Sequence, residues 1–154
     1  TNVFMTGLMF IGGASGSVAG GIKINTLAVI LVAVLASVRG RSHVEVFGRE
    51  VPDVQVQRAL AIAFLGITFI FVIAFLLVMT ERFSFDKLIF ETVSAFGTGG
   101  LSTGITPALS AWGKTLIVVT MFVGRIGPLT IVLSLGQRQQ RAVYRFSQER
   151  VRMG

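Results

Sequence analysis

The sequence has no cysteine, which excludes disulfide frameworks, thiol chemistry and thiolate metal sites. Charge is scarce: 14% of the 154 residues are Asp, Glu, Lys or Arg, against about a quarter in soluble domains. There is one histidine, His43, and it lies in a polar stretch far from the Gly13-Ala14-Ser15-Gly16 run that resembles an intramembrane serine-protease motif. A serine nucleophile needs a base within hydrogen-bond reach, so this enzymatic reading fails. A phosphate-binding P-loop fails too, because Gly21 is not followed directly by Lys and Lys23 is followed by Ile24. No basic leader or cleavage motif accompanies the apolar residues after Thr1. The chain is expected to be a piece of a longer protein with more of it upstream.

What is present is apolar sequence in long runs, with 53% hydrophobic residues. This predicts an all-α, multi-pass membrane protein. The net charge of +7 is unevenly placed. Arg39, Arg41, Arg49 and Arg58 crowd one loop, and Arg138, Arg141, Arg145, Arg150 and Arg152 crowd the tail. Thr80 to Lys87 balances Arg82 and Lys87 against Glu81 and Asp86. The positive-inside rule makes the first two regions cytoplasmic and the third external. The arginines flank membrane spans, so nucleic acid is not expected as a partner.

Residues 1–38 are apolar but broken at 12–23, where Gly12, Gly13, Ala14, Ser15, Gly16, Ser17, Gly20 and Gly21 lie and Lys23 closes the run. Helix propensity collapses there, and a short helix from about Asn25 to Val38 follows. Interrupted membrane helices mark binding sites or gates. Residues 39–58 form a polar connector containing Pro52. Ala59 to Met79 carries no charge and is long enough to cross a bilayer. Ser84 is a candidate N-cap, with Asp86 in the first turn, for a short helix from Phe85 to Phe96. A Gly/Ser/Thr run leads outward from it past Pro107 and Trp112. Thr115 to Leu135 then recrosses with Arg125 in its middle, and residues 136–154 form a basic cytoplasmic tail. Residues 59–135 thus read as one membrane–pore–membrane repeat, and residues 1–38 as the last helix of a preceding one. An internal repeat supports this division, since Met9-Phe10-Ile11-Gly12-Gly13 aligns with Met121-Phe122-Val123-Gly124-Arg125.

Thr98-Gly99-Gly100-Leu101 is similar to a degenerate potassium-channel filter, in which backbone carbonyls replace a cation's hydration shell. The alternative is an ordinary Gly-rich external loop, and the short helix before it favours the filter. Phe90 to Thr98, Gly124-Arg125-Ile126-Gly127-Pro128, Met9 to Lys23 and the stretch from Tyr144 to Gly154 together resemble the Trk/Ktr/HKT superfamily of cation transporters. Within it they are most similar to pore subunits of bacterial Ktr potassium-uptake systems. That resemblance implies a carbonyl-lined potassium filter and an intramembrane gating loop at residues 12–23. It implies a homodimer controlled by a cytosolic nucleotide-binding ring, no bound organic cofactor, K+ as the transported ion and sodium coupling as an open question. Gly99 stands where the family often has Val, which adds flexibility to the filter.

Arg125 is expected to face the bundle interior, because a central arginine costs about 2.5–3.5 kcal/mol on insertion scales. Two readings stay open for it: contact with the gating loop, or a structural pair with Glu91. Lys23 is read as snorkelling to the interface, with direct regulation as the alternative, and the tail arginines as binding anionic lipid or a partner. Two rivals to the potassium pathway remain. Gly124-Arg125-Ile126-Gly127-Pro128 is close to a chloride-channel motif, although that family's Gly-Ser-Gly-Ile-Pro signature is absent. A non-conducting assembly subunit is the other.

Overall fold

The computed structural model describes residues 2–13, 20–40, 44–46 and 49–127. Five helices dominate: α1 (Asn2–Phe10), α2 (Ile24–Val38), α3 (Asp53–Thr80), α4 (Phe85–Gly97) and α5 (Ala111–Ile126). A two-residue-per-strand hairpin, β1 (Glu45–Val46) with β2 (Arg49–Glu50), lies in the connector between α2 and α3. Nothing in the polar sequence of that connector announces it.

α3 begins six residues before the uncharged stretch, at Asp53 behind Pro52. Proline at the boundary has no amide to leave unpaired, and Asp53 complements the helix dipole, so the helix starts in polar sequence. Its 28 residues span about 42 Å, and among the described residues it is the one helix long and apolar enough to cross a membrane. Ala59, Gly66, Ile70, Ile73, Ala74 and Leu77 form its buried stripe at helical spacing. The opposite face is equally apolar: Phe64, Phe71, Phe75 and Met79 are each more than 60% exposed. A helix that is apolar all round fits a lipid-facing span or a surface covered by further protein.

α4 is the centre of the assembly. It packs against α1, α3 and α5, and from Glu91 to Gly97 every residue is buried. Around it sit two apolar clusters. Ile73, Leu77, Leu88, Ala95, Ile105, Leu109 and Ile117 form one. Ile22, Ile70, Val93 and Phe96, with Met9, Phe10 and Phe69, form the other. Phe96 is fully buried, stacked on Phe10 at 6.5 Å and tilted against Phe69 at 6.3 Å. Burial of such a ring contributes about 3 kcal/mol.

α5 corrects the expected helix. It starts at Ala111, with Ser110 accepting from the Gly113 amide, and it ends at Ile126. Gly127, at φ +89°, donates its amide to Val123 and closes the helix. Arg125 is therefore in the last turn of α5 rather than mid-helix, on a face that the described residues leave uncovered. A cation there complements the C-terminal end of the dipole. Residues 128–135 and the basic tail at 136–154 lie outside the described residues.

Candidate functional site

The site grows from the C-terminal end of α4. The Thr98 amide donates to Ala95 O (3.2 Å) and the Gly99 amide to Ser94 O (2.9 Å). This is the Schellman pattern, which places its C′ residue in the left-handed region. Glycine usually occupies that position, yet here it is Thr98, at φ +52°, the one positive-φ residue other than glycine among those described. A β-branched residue held there costs about 1–2 kcal/mol, so its side chain must serve a purpose. Thr98 Oγ1 accepts from the Gly20 amide at 2.8 Å. The expected filter segment and the far end of the expected gating loop are thus in direct contact.

That contact belongs to a junction of four backbones. Gly21 donates its amide to Gly124 O (3.3 Å). A Cβ on Gly124 would overlap the Phe96 carbonyl, one on Gly97 would overlap Met9 O, and one on Gly12 would overlap Gly20 O. Glycine at these positions lets α1, the returning loop and α5 close on the end of α4. The mouth of the loop is closed by Gly12 N donating to Ile22 O (2.7 Å) and Ile24 N to Gly13 O (3.3 Å). Lys23 is the exposed residue before α2, and its carbonyl accepts from Thr26 and Leu27. Ala14, Ser15, Gly16 and Ser17 lie outside the described residues.

Beyond Thr98, the chain runs along the side of α4. Gly99, Gly100 and Leu101 are exposed on one side, and Gly100 and Gly104 take φ +69° and +86°. Behind this segment is a cavity of about 220 Å³ lined by Glu91, Ser94, Thr98, Leu101, Thr106 and Met121, among others. Across the cavity, Ser94 Oγ donates to Leu101 O at 2.5 Å.

Glu91 is 4% exposed. Its Oε1 accepts from Ser102 Oγ (2.6 Å), Thr103 N (2.7 Å) and Thr103 Oγ1 (3.1 Å), and its Oε2 accepts from Thr106 Oγ1 (2.9 Å). The structure therefore places Glu91 with the segment that follows Thr98. Four donors reach the carboxylate, three at Oε1 and one at Oε2. Among the described residues no buried side-chain nitrogen or oxygen lacks a partner.

At the other end of α4, Ser84 occupies the N-cap position as expected, but its side chain makes no capping bond to the helix amides. The Ser84 hydroxyl turns to Asp86 and, more than any other contact, holds that carboxyl below its ordinary range. The start of α5 is secured by Glu81, whose Oε1 accepts from Ser110 N (3.1 Å) and Ser110 Oγ. Sequence reasoning gave no role to Ser94, Ser102 and Thr103, although they lie in the Gly/Ser/Thr run after the short helix, and it missed Thr106. The i, i+3 spacing of Glu91 and Ser94 on one buried helix face was the available signal.

Residues 1–142 match the family TrkH, described as cation transport protein. Over 140 residues the chain is 45% identical to the Ktr system potassium uptake protein B of Bacillus subtilis (strain 168), covering 91% of the chain and 32% of that relative. It is 42% identical to the Ktr system potassium uptake protein D of the same organism, covering 100% of the chain and 34% of the relative. It is 39% identical to the potassium/sodium uptake protein NtpJ of Enterococcus hirae, covering 96% and 34%. The chain spans about a third of the length of these curated relatives.

Proposed function

The chain belongs to the TrkH family of cation transport proteins, and from that premise we propose that the full-length protein moves potassium across the membrane through a carbonyl-lined filter to which this chain contributes one segment. The backbone oxygens of Thr98, Gly99 and Gly100 take the place of the ion's water. The Leu101 carbonyl is already engaged by Ser94, so it ligates less than the sequence pattern implied. The C-terminal end of α4 adds partial negative charge at the base of the segment. Residues 59–135 act as one repeat of a fourfold pore and residues 1–38 as the end of the preceding repeat.

The observation that carries this reading is the junction at Thr98. A helix of 13 residues, too short to span, ends where a broken helix returns and donates Gly20 N–H to the first filter residue. A glycine-rich loop in that place obstructs the path until it moves, which makes residues 12–21 the gate. Arg125, in the last turn of α5 just after Gly124, sets a positive charge beside the gate. No covalent chemistry is involved. A homodimer, a cytosolic nucleotide-binding ring acting on the connector and tail, and contact of the basic residues with anionic lipid complete the proposal. Sodium either competes with or accompanies potassium, and the name of the Enterococcus hirae relative includes both ions.

The test is rubidium uptake by the full-length protein in cells lacking other potassium uptake, compared with Gly100→Val. Gly100 sits at positive φ with open space around it, so valine strains the filter backbone without a packing clash. We expect uptake to fall at least about tenfold, the order set by one strained left-handed residue. Chloride flux in place of rubidium flux, or unaltered rubidium uptake in the variant, overturns the reading.

A further inference from the structure

The filter segment is attached to its helix at two places only one turn apart. At its start, the Gly99 amide is bonded to Ser94 O. At its end, Ser94 Oγ takes the Leu101 carbonyl, and Glu91 gathers Ser102, Thr103 and Thr106. Between these attachments lie Gly99 and Gly100, which have no side chains to pack. Gly100 borders the cavity of about 220 Å³, with open space where a side chain would stand, whereas Gly99 lies against the Met9 side chain. At Gly100, packing therefore does not set how far the carbonyl stands from the pore axis. Hydrogen bonds do.

We infer that Glu91 and Ser94 are specificity-determining positioning residues: a polar clamp on the pore helix that fixes the span of the filter segment and thereby its preference among monovalent cations. The inference rests on the filter reading above. Neither side chain touches the ion. Glu91 acts through the Thr103 amide and three hydroxyls, and Ser94 through the Leu101 carbonyl. A buried carboxylate is an expensive device at membrane depth unless its acceptors are filled. Here every donor comes from the chain that follows the filter, so the carboxylate serves that chain and nothing else in the described structure. Loss of the clamp leaves the carbonyl cage free to shrink around a smaller, more strongly hydrated ion. The clamp thus opposes sodium by holding the cage open at the larger size.

The experiment uses the full-length protein, purified and reconstituted in liposomes, with rubidium uptake competed by potassium or sodium. The variants are Ser94→Ala, Ser94→Thr, Glu91→Gln and Gly100→Val. Ser94→Ala frees the Leu101 carbonyl. It is expected to lower the ratio of sodium to potassium concentrations needed for half-inhibition by about fivefold, the order of one net hydrogen bond. Ser94→Thr keeps the hydroxyl and restores the ratio. Glu91→Gln turns one acceptor into a donor and shifts the ratio in the same direction. A merely structural role would lower melting temperature and total uptake while leaving the ratio fixed, and that result overturns the clamp. If Gly100→Val alters uptake and the clamp variants leave the ratio unchanged, the clamp fails and the filter reading stands. If none of the variants alters uptake or ratio, both fail. Where Glu91→Gln does not yield folded protein, Ser94→Ala and its threonine counterpart decide the matter alone.

Discussion

Two glycine-rich segments meet at the end of α4, and different forces hold them. Residues 98–106 are bonded to side chains of their own pore helix, Glu91 and Ser94, over short distances in sequence. The described ends of the 12–21 segment are held by backbone bonds alone and by one hydroxyl, that of Thr98. Side-chain clamps on one helix move with that helix. Backbone bonds between separate elements break when those elements shift. On the proposed reading, the same composition serves as a fixed ligand frame in one place and as a displaceable gate in the other. Glycine content alone does not distinguish the two; the presence of Glu and Ser on the neighbouring helix does.

The largest effect should come from forcing the two segments apart. Gly124→Val places side-chain atoms where the Phe96 carbonyl stands, and overpacking of this kind costs about 3 kcal/mol. A thermal melt of the full-length protein in detergent should show a clear drop, with uptake lost in parallel. Gly7→Ala is the matched control, since a Cβ at that position would meet nothing within 4 Å, and it should melt within about 0.5 kcal/mol of the parent. Equal melts for the two variants would mean that the junction is not closely packed.

A sharper cut severs the one hydroxyl bond that links the segments. Thr98→Val keeps the shape and removes the acceptor for Gly20 N–H. Leaving that amide unpaired costs about 1–3 kcal/mol, and the cost falls on the closed loop rather than on the clamp. Uptake in the absence of the regulator should rise, while Thr98→Ser should behave like the parent. A Thr98→Val protein with lowered selectivity and unchanged basal uptake would reverse the roles assigned to the two segments.

Much of this arrangement was legible in the residues. The uncharged run at 59–79, the short helix from Phe85 and the break after Gly12 follow from hydropathy, capping residues and glycine clustering. They act locally, so local sequence records them. The Met-Phe-x-Gly repeat pairs Gly12 with Gly124, and both prove to be points of close backbone approach, which the repeat alone did not say. The end of α5 was written in Gly127-Pro128, a glycine at positive φ before a residue that disfavours helix, but the apolar sequence beyond it outweighed that signal. The destination of Glu91 was not legible. A lone acid near a lone arginine suggests a pair, whereas Ser102, Thr103 and Thr106 satisfy it through a fold-back that composition does not announce. The Thr98–Gly20 bond spans 78 positions and depends on tertiary placement alone.

A smaller effect is expected where α3 hands over to α5. Glu81 accepts from the amide and hydroxyl of Ser110 and stands at the start of the helix dipole. Glu81→Gln keeps one acceptor and loses the charge, at about 0.5–1 kcal/mol for an N-terminal anion. Melting should fall slightly and the sodium-to-potassium ratio should not move, because this bond lies outside the clamp. A changed ratio would extend the clamp to the α5 start and blur the contrast between the two segments.

The smallest effect lies at the start of α4, the end opposite the filter. Asp86 is exposed, and its carboxyl is held below the ordinary value of 3.8 first by the Ser84 hydroxyl, against an opposing effect of desolvation, with the amides of Asp86 and Lys87 and the Lys87 charge adding to the lowering. A carboxyl with a depressed folded-state pKa favours folding above its unfolded-state value, and the benefit disappears as pH falls through the folded-state value. The melting difference between the parent and Asp86→Asn should therefore be constant at neutral pH and shrink below about pH 4. Full exposure keeps the difference slight at every pH. Ion preference should be the same in both proteins, since the clamp begins at Glu91, more than a turn further along the helix. If neutralising Asp86 did alter preference, the filter would be sensing charge along the whole of α4, and hydrogen bonding at 91 and 94 would no longer account for its span.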